Sequence, residues 1–178
     1  HAILQAKDLV DENESVAVLF GDDLVVNKTP ALKQMIDVYE KYLDPIIAVD
    51  KVDKKETDQY GIVDIVKGEG QTHEIKGLVE KPEPKDAPSN LAVIGKYIIT
   101  PDVLKALETA KPSKGGEIRL IDAFRAVVKD RAIYAHEYEG DRFDCGSKLG
   151  FLKATIHFGL KHKELKKDFA KYLKSIKI

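Results

Sequence analysis

Asp22 and Asp23 follow directly on an unbroken apolar run, Val16-Ala17-Val18-Leu19-Phe20, and its glycine, Gly21. Such a run reads as a strand covered on both faces, and open α/β sheets place their ligands just past the carboxyl ends of such strands. A carboxylate there suits a hard cation such as Mg²⁺, which takes one or two protein carboxylates and fills its other positions with water and phosphate oxygens. Neighbouring side chains in extended backbone point apart, so the pair does not readily share one ion and one aspartate serves the loop. The alternative is a solvated turn or helix cap made by both. Asp144 ends another extended stretch and precedes a helix. It is placed either to complete a metal site with Asp22 or to cap that helix.

Glu80-Lys81-Pro82 ends a further strand. A carboxylate accepts bonds from two sugar hydroxyls, and an ammonium beside it sits against a phosphate as a point charge. The proline is expected to hold Lys81 in extended backbone. The plainer reading is an exposed pair leaving an edge strand. Gly61, after Tyr60 at the start of a strand, lets a ligand approach backbone groups closely, unless it is only a turn glycine. The histidines at 1, 73, 136, 157 and 162 show no metal spacing and receive no role, and Cys145 reads as a small buried filler rather than a nucleophile.

These residues need a scaffold, and the pattern supplies an α/β one. Thr29-Pro30 opens a helix carrying Leu32, Met35, Ile36, Tyr39 and Leu43 on one face, Pro45 stops it, and Ile46 to Val49 forms the next buried strand. A strand-helix-strand crossover favours parallel pairing. Gly61 to Lys67 and Glu74 to Glu80 read as a hairpin, which makes the sheet mixed. Prolines 82, 84 and 88 mark a surface loop before a strand over Leu91 to Ile99. Thr100-Pro101 caps a helix with Val103, Leu104 and Leu107, and the chain breaks over 111–116. A second helix then carries Leu120, Ile121, Phe124, Val127 and Val128, followed by a strand over Ala132 to Tyr138. Gly140-Asp141 turns the chain into residues 142–146, and everything after Gly146 reads as helical, with Leu165, Phe169, Tyr172, Leu173 and Ile176 forming a packed face beneath a lysine-rich solvated one. A membrane-surface helix is the rival there, opposed by Glu164 and Asp168.

Composition bounds the remaining choices. The 178 residues suffice for one substantial core, read as a single domain over 1–178 with a helical region at 147–178. A formal charge of -1 gives no general attraction to nucleic acid or anionic lipid. A single cysteine excludes an internal disulfide and points to a reducing compartment, the cytoplasm. No apolar run reaches the roughly 20 residues of a spanning helix. The opening His1-Ala2-Ile3 is neither a signal peptide nor an initiator methionine, so the chain reads as cut at its front.

Several segments together resemble the bacterial UTP:glucose-1-phosphate uridylyltransferases. His1-Ala2 is similar to the end of that family's Gly-Leu-Gly-His-Ala segment, Phe20-Gly21-Asp22-Asp23-Leu24-Val25 to its metal loop, and Tyr60-Gly61 and Val79-Glu80-Lys81-Pro82 to its sugar-binding motifs. Residues 116–123 and 142–150 resemble its two later signatures. The resemblance implies a nucleotide-diphospho-sugar transferase fold, a mixed, mainly parallel Rossmann-like sheet flanked by helices. It implies that Asp22 holds Mg²⁺ with Asp144, that Glu80 binds the glucose hydroxyls, that Gly61 meets the sugar through its backbone, and that Lys81 touches the phosphates. UTP, glucose 1-phosphate and UDP-glucose would be the ligands, and a homodimer or tetramer the assembly. Ile121 stands where the family commonly has threonine and is expected to touch none of these residues. The family's glycine-rich triphosphate loop would lie upstream of His1, so the chain alone is expected to be inactive and its unpaired sheet edge to favour association. Rival readings are transfer of another nucleotide, such as dTMP, AMP or CMP, and a non-catalytic sugar-phosphate-binding or oligomer-forming module.

Overall fold

A computed structural model describes residues 1–111 and 116–177. The chain forms two compact units, one of residues 1–20 and 27–139, the other of residues 21–26 and 140–178.

The larger unit is built on a six-stranded sheet in the order β1 (Val16–Leu19), β6 (Leu91–Ile99), β3 (Ile46–Lys51), β7 (Ile133–Glu137), β5 (Thr72–Glu80), β4 (Gly61–Glu69). β3 and β7 pair in parallel, and the other neighbours are antiparallel. Because β6 runs against both β1 and β3, those two share a direction without touching, and β4 and β7 run with them. The sheet is mixed, as the hairpin requires. The crossover from β1 through α1 (Ala31–Tyr42) to β3 keeps the expected sense but leaves a gap that β6 fills. β1 differs from expectation in burial. It lies at the sheet edge with Ala17 and Leu19 exposed, because an apolar run specifies a strand but not which neighbours will cover it.

The core lies between β3, β5, β6 and β7 and the helices α2 (Pro101–Thr109) and α3 (Leu120–Val127), with Ile47, Val49, Ile99, Val103, Leu107, Phe124 and Ile133 fully or almost fully buried. Each such side chain contributes roughly 1.5–3 kcal/mol over leaving it in water. Tyr97 stacks on Phe124 at 5.7 Å between ring centroids and meets Phe20 edge-on at 5.6 Å. Pro101 stands in the first turn of α2, as read. In α1, Pro30 is itself the N-cap position rather than the first helical residue, and Leu43 is the exposed left-handed C-cap rather than part of the apolar face. The β4–β5 hairpin turns at Gly70-Gln71, tighter than the sequence suggested, and Gly70 supplies the positive φ of +60°. Of the expected break over 111–116, residues 112–115 lie outside the described residues.

The smaller unit pairs β2 (Asp23–Val26) antiparallel with β8 (Asp141–Asp144), in register from Asp23↔Asp144 to Val26↔Asp141, and continues into α4 (Lys148–Lys161) and α5 (Lys166–Ser175). The packed face expected on the last helix is thin. Phe169 and Leu173 are half-buried, Leu165 caps the helix, and Tyr172 and Ile176 are exposed; Ile178 lies outside the described residues. No helix among the described residues is long and apolar enough to cross a membrane.

Candidate active site

In the smaller unit the β2–β8 register brings the two proposed metal carboxylates together. A methyl group built on Gly146 would stand 3.1 Å from Asp144 Oδ1 and 3.4 Å from Asp22 Oδ2, so both oxygens converge beside a residue without a side chain. The loop is tied down by its backbone: Cys145 N–H donates to the Asp22 carbonyl at 2.6 Å, and Gly146 N–H to Asp144 Oδ1 at 3.0 Å. Gly150 fixes the start of α4. Any Cβ there would lie 1.8 Å from the Asp144 carbonyl oxygen, which only glycine avoids. Asp144 does not cap α4. Ser147 does, its Oγ accepting from Gly150 N–H at 3.0 Å while donating to the Asp144 carbonyl at 3.0 Å. Asp144 is thereby left with its side chain directed at Gly146.

Asp23 takes the loop role, as the geometry of adjacent residues demanded. It is buried and receives both Arg142 Nε at 2.9 Å and Nη2 at 2.8 Å, a two-pronged charge-assisted pair across the β2–β8 ribbon. Cys145 is half-buried, less enclosed than a core filler, with its Sγ 3.8 Å from the Phe143 carbonyl. Two hard oxygens converging beside Gly146 suit a divalent cation that keeps water and phosphate ligands. No group of three or more metal-ligating side chains occurs among the described residues.

In the larger unit, Gly61 and Glu80 face one another in the β4–β5 register. A Cβ on Gly61 would lie 3.4 Å from Glu80 Oε2, 3.3 Å from Ile121 Cδ1 and 3.7 Å from Val93 Cγ2. The expectation that Ile121 touches none of the site is therefore corrected: α3 packs it against Gly61, a tertiary contact that no local pattern encodes. Lys81 departs from expectation more sharply. Its φ is +47°, the left-handed region, instead of the extended backbone favoured before proline. Its N–H donates to the Tyr60 carbonyl at 3.0 Å, closing the open end of the hairpin and turning the chain abruptly toward buried Pro82. Strain at a non-glycine residue of this kind costs about 1–3 kcal/mol and gathers at functional sites.

Sequence reasoning missed Arg119 and Asp122. Arg119 Nη1 lies 4.0 Å from Glu80 Oε1, and its Nε lies 3.6 Å from Asp122 Oδ2. Their spacing of three residues at the start of a helix was the available signal. His73 and His136 stay outside both groups. His73 Nε2 is 2.7 Å from Glu137 Oε1 and His136 Nδ1 is 3.1 Å from Thr72 Oγ1, both between β5 and β7.

Mixed α/β sheets of this kind form a broad class of proteins whose ligands commonly sit beyond the carboxyl ends of strands. Within it, the chain belongs to the nucleotidyl transferase family, whose description residues 1–158 match. That family generally uses a divalent metal. The UTP–glucose-1-phosphate uridylyltransferase of Staphylococcus haemolyticus (strain JCSC1435) is 44% identical over 99% of this chain and 61% of its own length. The same-named protein of Staphylococcus epidermidis (strain ATCC 12228 / FDA PCI 1200) is 43% identical over the whole of this chain and 62% of its own. A crystal structure of apo UDP-glucose pyrophosphorylase superposes with a TM-score of 0.86 at 42% identity, covering 90% of this chain and 59% of that one. UTP-bound UGPase from Acinetobacter baumannii gives 0.88 at 37%, covering 99% and 61%. The chain thus spans about three-fifths of the length of the relatives it matches.

Proposed function

We propose that this chain is the metal- and sugar-binding part of a UTP:glucose-1-phosphate uridylyltransferase, which makes UDP-glucose and pyrophosphate. The observation that carries the reading is the convergence of Asp22 and Asp144 beside Gly146, in a chain whose relatives bear that activity's name along its whole length. In the reaction, a phosphate oxygen of glucose 1-phosphate attacks the α-phosphorus of UTP in line, forming the new P–O bond as the bond to pyrophosphate breaks. The attacking monoester is already ionised at neutral pH, so no side chain has to remove a proton.

Asp22 and Asp144 would hold Mg²⁺, which when bound neutralises phosphate charge and aligns the reactants. Glu80 accepts bonds from glucose hydroxyls, and Gly61, lacking a side chain, lets the sugar ring approach β4. Lys81 sets an ammonium against the phosphate. We place the protein in the cytoplasm and expect a homo-oligomer, a reading supported by the apolar side chains exposed on α4.

The test is a calorimetric titration of glucose 1-phosphate into the chain, with and without Mg²⁺. Saturable binding that Mg²⁺ strengthens, with the strengthening lost in Asp22→Asn and the binding weakened in Glu80→Gln, is the expected result. Absence of saturable binding, or affinity indifferent to Mg²⁺, would overturn the reading.

A further inference from the structure

Arg119, Asp122 and Arg125 extend a row of alternating charge from Glu80 and take no part in the reaction outlined above. Arg119 immediately precedes α3, and its Nε is buried without a hydrogen-bond partner, one of two such side-chain atoms among the described residues. Buried donors left unmatched are rare in folded proteins and ask for an explanation. The surroundings supply one. Asp122 is fixed from behind: its Oδ1 accepts from Arg125 Nη1 at 3.0 Å, and Arg125 Nε donates to the Leu78 carbonyl of β5 at 2.9 Å. The other oxygen, Oδ2, faces Arg119 Nε at 3.6 Å, just beyond bonding range. On its far side Arg119 Nη1 faces Glu80 Oε1 at 4.0 Å, while Glu80 Oε2 overhangs Gly61.

We propose that Arg119 is a positioning residue for Glu80. Its guanidinium holds Oε1 so that Oε2, above Gly61, is the oxygen presented to the sugar hydroxyls. The inference rests on the assignment of Glu80 to the sugar. Asp122 and Arg125 form a backstop: a carboxylate anchored to β5 keeps the guanidinium from swinging away, so that Glu80 is oriented by a strand-to-helix relay rather than by its own flexible stem. The planar fork of arginine suits this place because it faces two carboxylates from separate nitrogens, which the single ammonium of lysine does less well. The slack distances on both sides let the guanidinium close on Glu80 as that carboxylate is drawn into bonds with the ligand. Ile121 Cδ1 crowds the same spot beside Gly61 as Glu80 Oε2 and limits the space into which that oxygen could turn.

The experiment titrates glucose 1-phosphate into the full 178-residue chain and into Arg119→Ala, Arg119→Lys, Asp122→Asn, Glu80→Gln and the Glu80→Gln/Arg119→Ala double variant. Folding is checked for each by circular dichroism. Loss of Arg119 is expected to weaken binding about tenfold, the scale of one charge-assisted hydrogen bond. Lysine should restore part of that loss, and Asp122→Asn should move affinity in the same direction as Arg119→Ala. The double variant should be no weaker than Glu80→Gln alone, because both changes remove one coupled unit. Binding of inorganic phosphate, which does not use Glu80, should be unchanged in Arg119→Ala, a result that general damage to the fold would not give. Additive losses, an unaltered affinity in Arg119→Ala, or an equal loss of phosphate binding would overturn the proposal. An unaltered affinity in Glu80→Gln is a separate result, which would remove the sugar assignment itself and this inference with it.

Discussion

Lys81 concentrates the cost and the use of this site in one residue. Its left-handed φ of +47° is unfavourable for a lysine and doubly so before Pro82, yet the turn is what closes the hairpin onto the Tyr60 carbonyl. Glycine adopts that conformation freely. Lys81→Gly is therefore expected to keep the fold and to raise the denaturation midpoint by an amount worth up to about 1 kcal/mol, while weakening glucose 1-phosphate binding through loss of the ammonium. Urea denaturation and calorimetry read the two effects separately; a variant that is less stable would show that the lysine stem packs where the backbone alone was held responsible. The residue types at this site were legible in the sequence, since strand-ending carboxylates, a lysine beside one of them and a strand-opening glycine are chemical signals. Their conformations were not. The rule for a residue before proline argued for extended backbone at Lys81, and the left-handed turn instead directs its N–H to the Tyr60 carbonyl just ahead of β4. Ile121 and Arg119 reach Gly61 and Glu80 only through the packing of α3 on the sheet, which no short motif contains.

The β5–β7 pairing carries the clearest dependence on pH. His136 in β7 is buried beside Thr72, and burial, the largest influence, pushes its imidazole below the ordinary value of about 6.5 against the opposing pull of Glu137 and Glu139, while nearby His73 pushes the same way as burial. A base whose folded pKa is depressed resists protonation only in the folded state. Its contribution is fully present above the unfolded value and is lost as pH falls below about 6.5. Glu137 titrates in a lower window. Burial pushes its carboxyl up, but bonds from Lys51 at 2.6 Å and His73 at 2.7 Å outweigh that and hold it below its usual value, so its contribution is lost as pH falls through the carboxylate range. Denaturation midpoints followed from pH 8 down to 3 should fall in two stages. His136→Gln should flatten the upper stage and Glu137→Gln the lower. A single stage insensitive to His136→Gln would show that other groups set the acid limb. At this scale the sequence was largely readable: prolines, caps and apolar periodicity placed nearly every helix and strand, because those signals act within a few residues. Strand order was not, since the insertion of β6 between β1 and β3 is decided by pairing across the whole sheet.

Over the whole molecule, the distribution of apolar surface is uneven, and it argues for association. The larger unit exposes large apolar side chains only at scattered positions such as Leu9, Leu43 and Val66, whereas α4 buries only Ala154 and exposes Leu149, Phe151, Leu152, Ile156, Phe158 and Leu160 along one helix. Leu149 and Leu152 are 63% and 58% exposed, and they recur at a spacing that puts them on one side of the helix. Soluble monomers rarely leave contiguous apolar patches of this kind uncovered. The near-neutral formal charge of -1 adds little repulsion to keep copies apart. Sedimentation velocity over a hundredfold range of concentration should accordingly show a shift from monomer toward dimer or larger species. Replacing Leu149 and Leu152 together by glutamate should hold the chain monomeric with its helical circular dichroism intact, because neither side chain supports the core. Association that persists in the double variant would move the contact elsewhere, with the exposed edge of β1, where Ala17 and Leu19 face outward, the next surface to block by a charged substitution. A wild-type chain that stays monomeric throughout would show that these apolar side chains are tolerated in water and that the homo-oligomer is not formed by this chain.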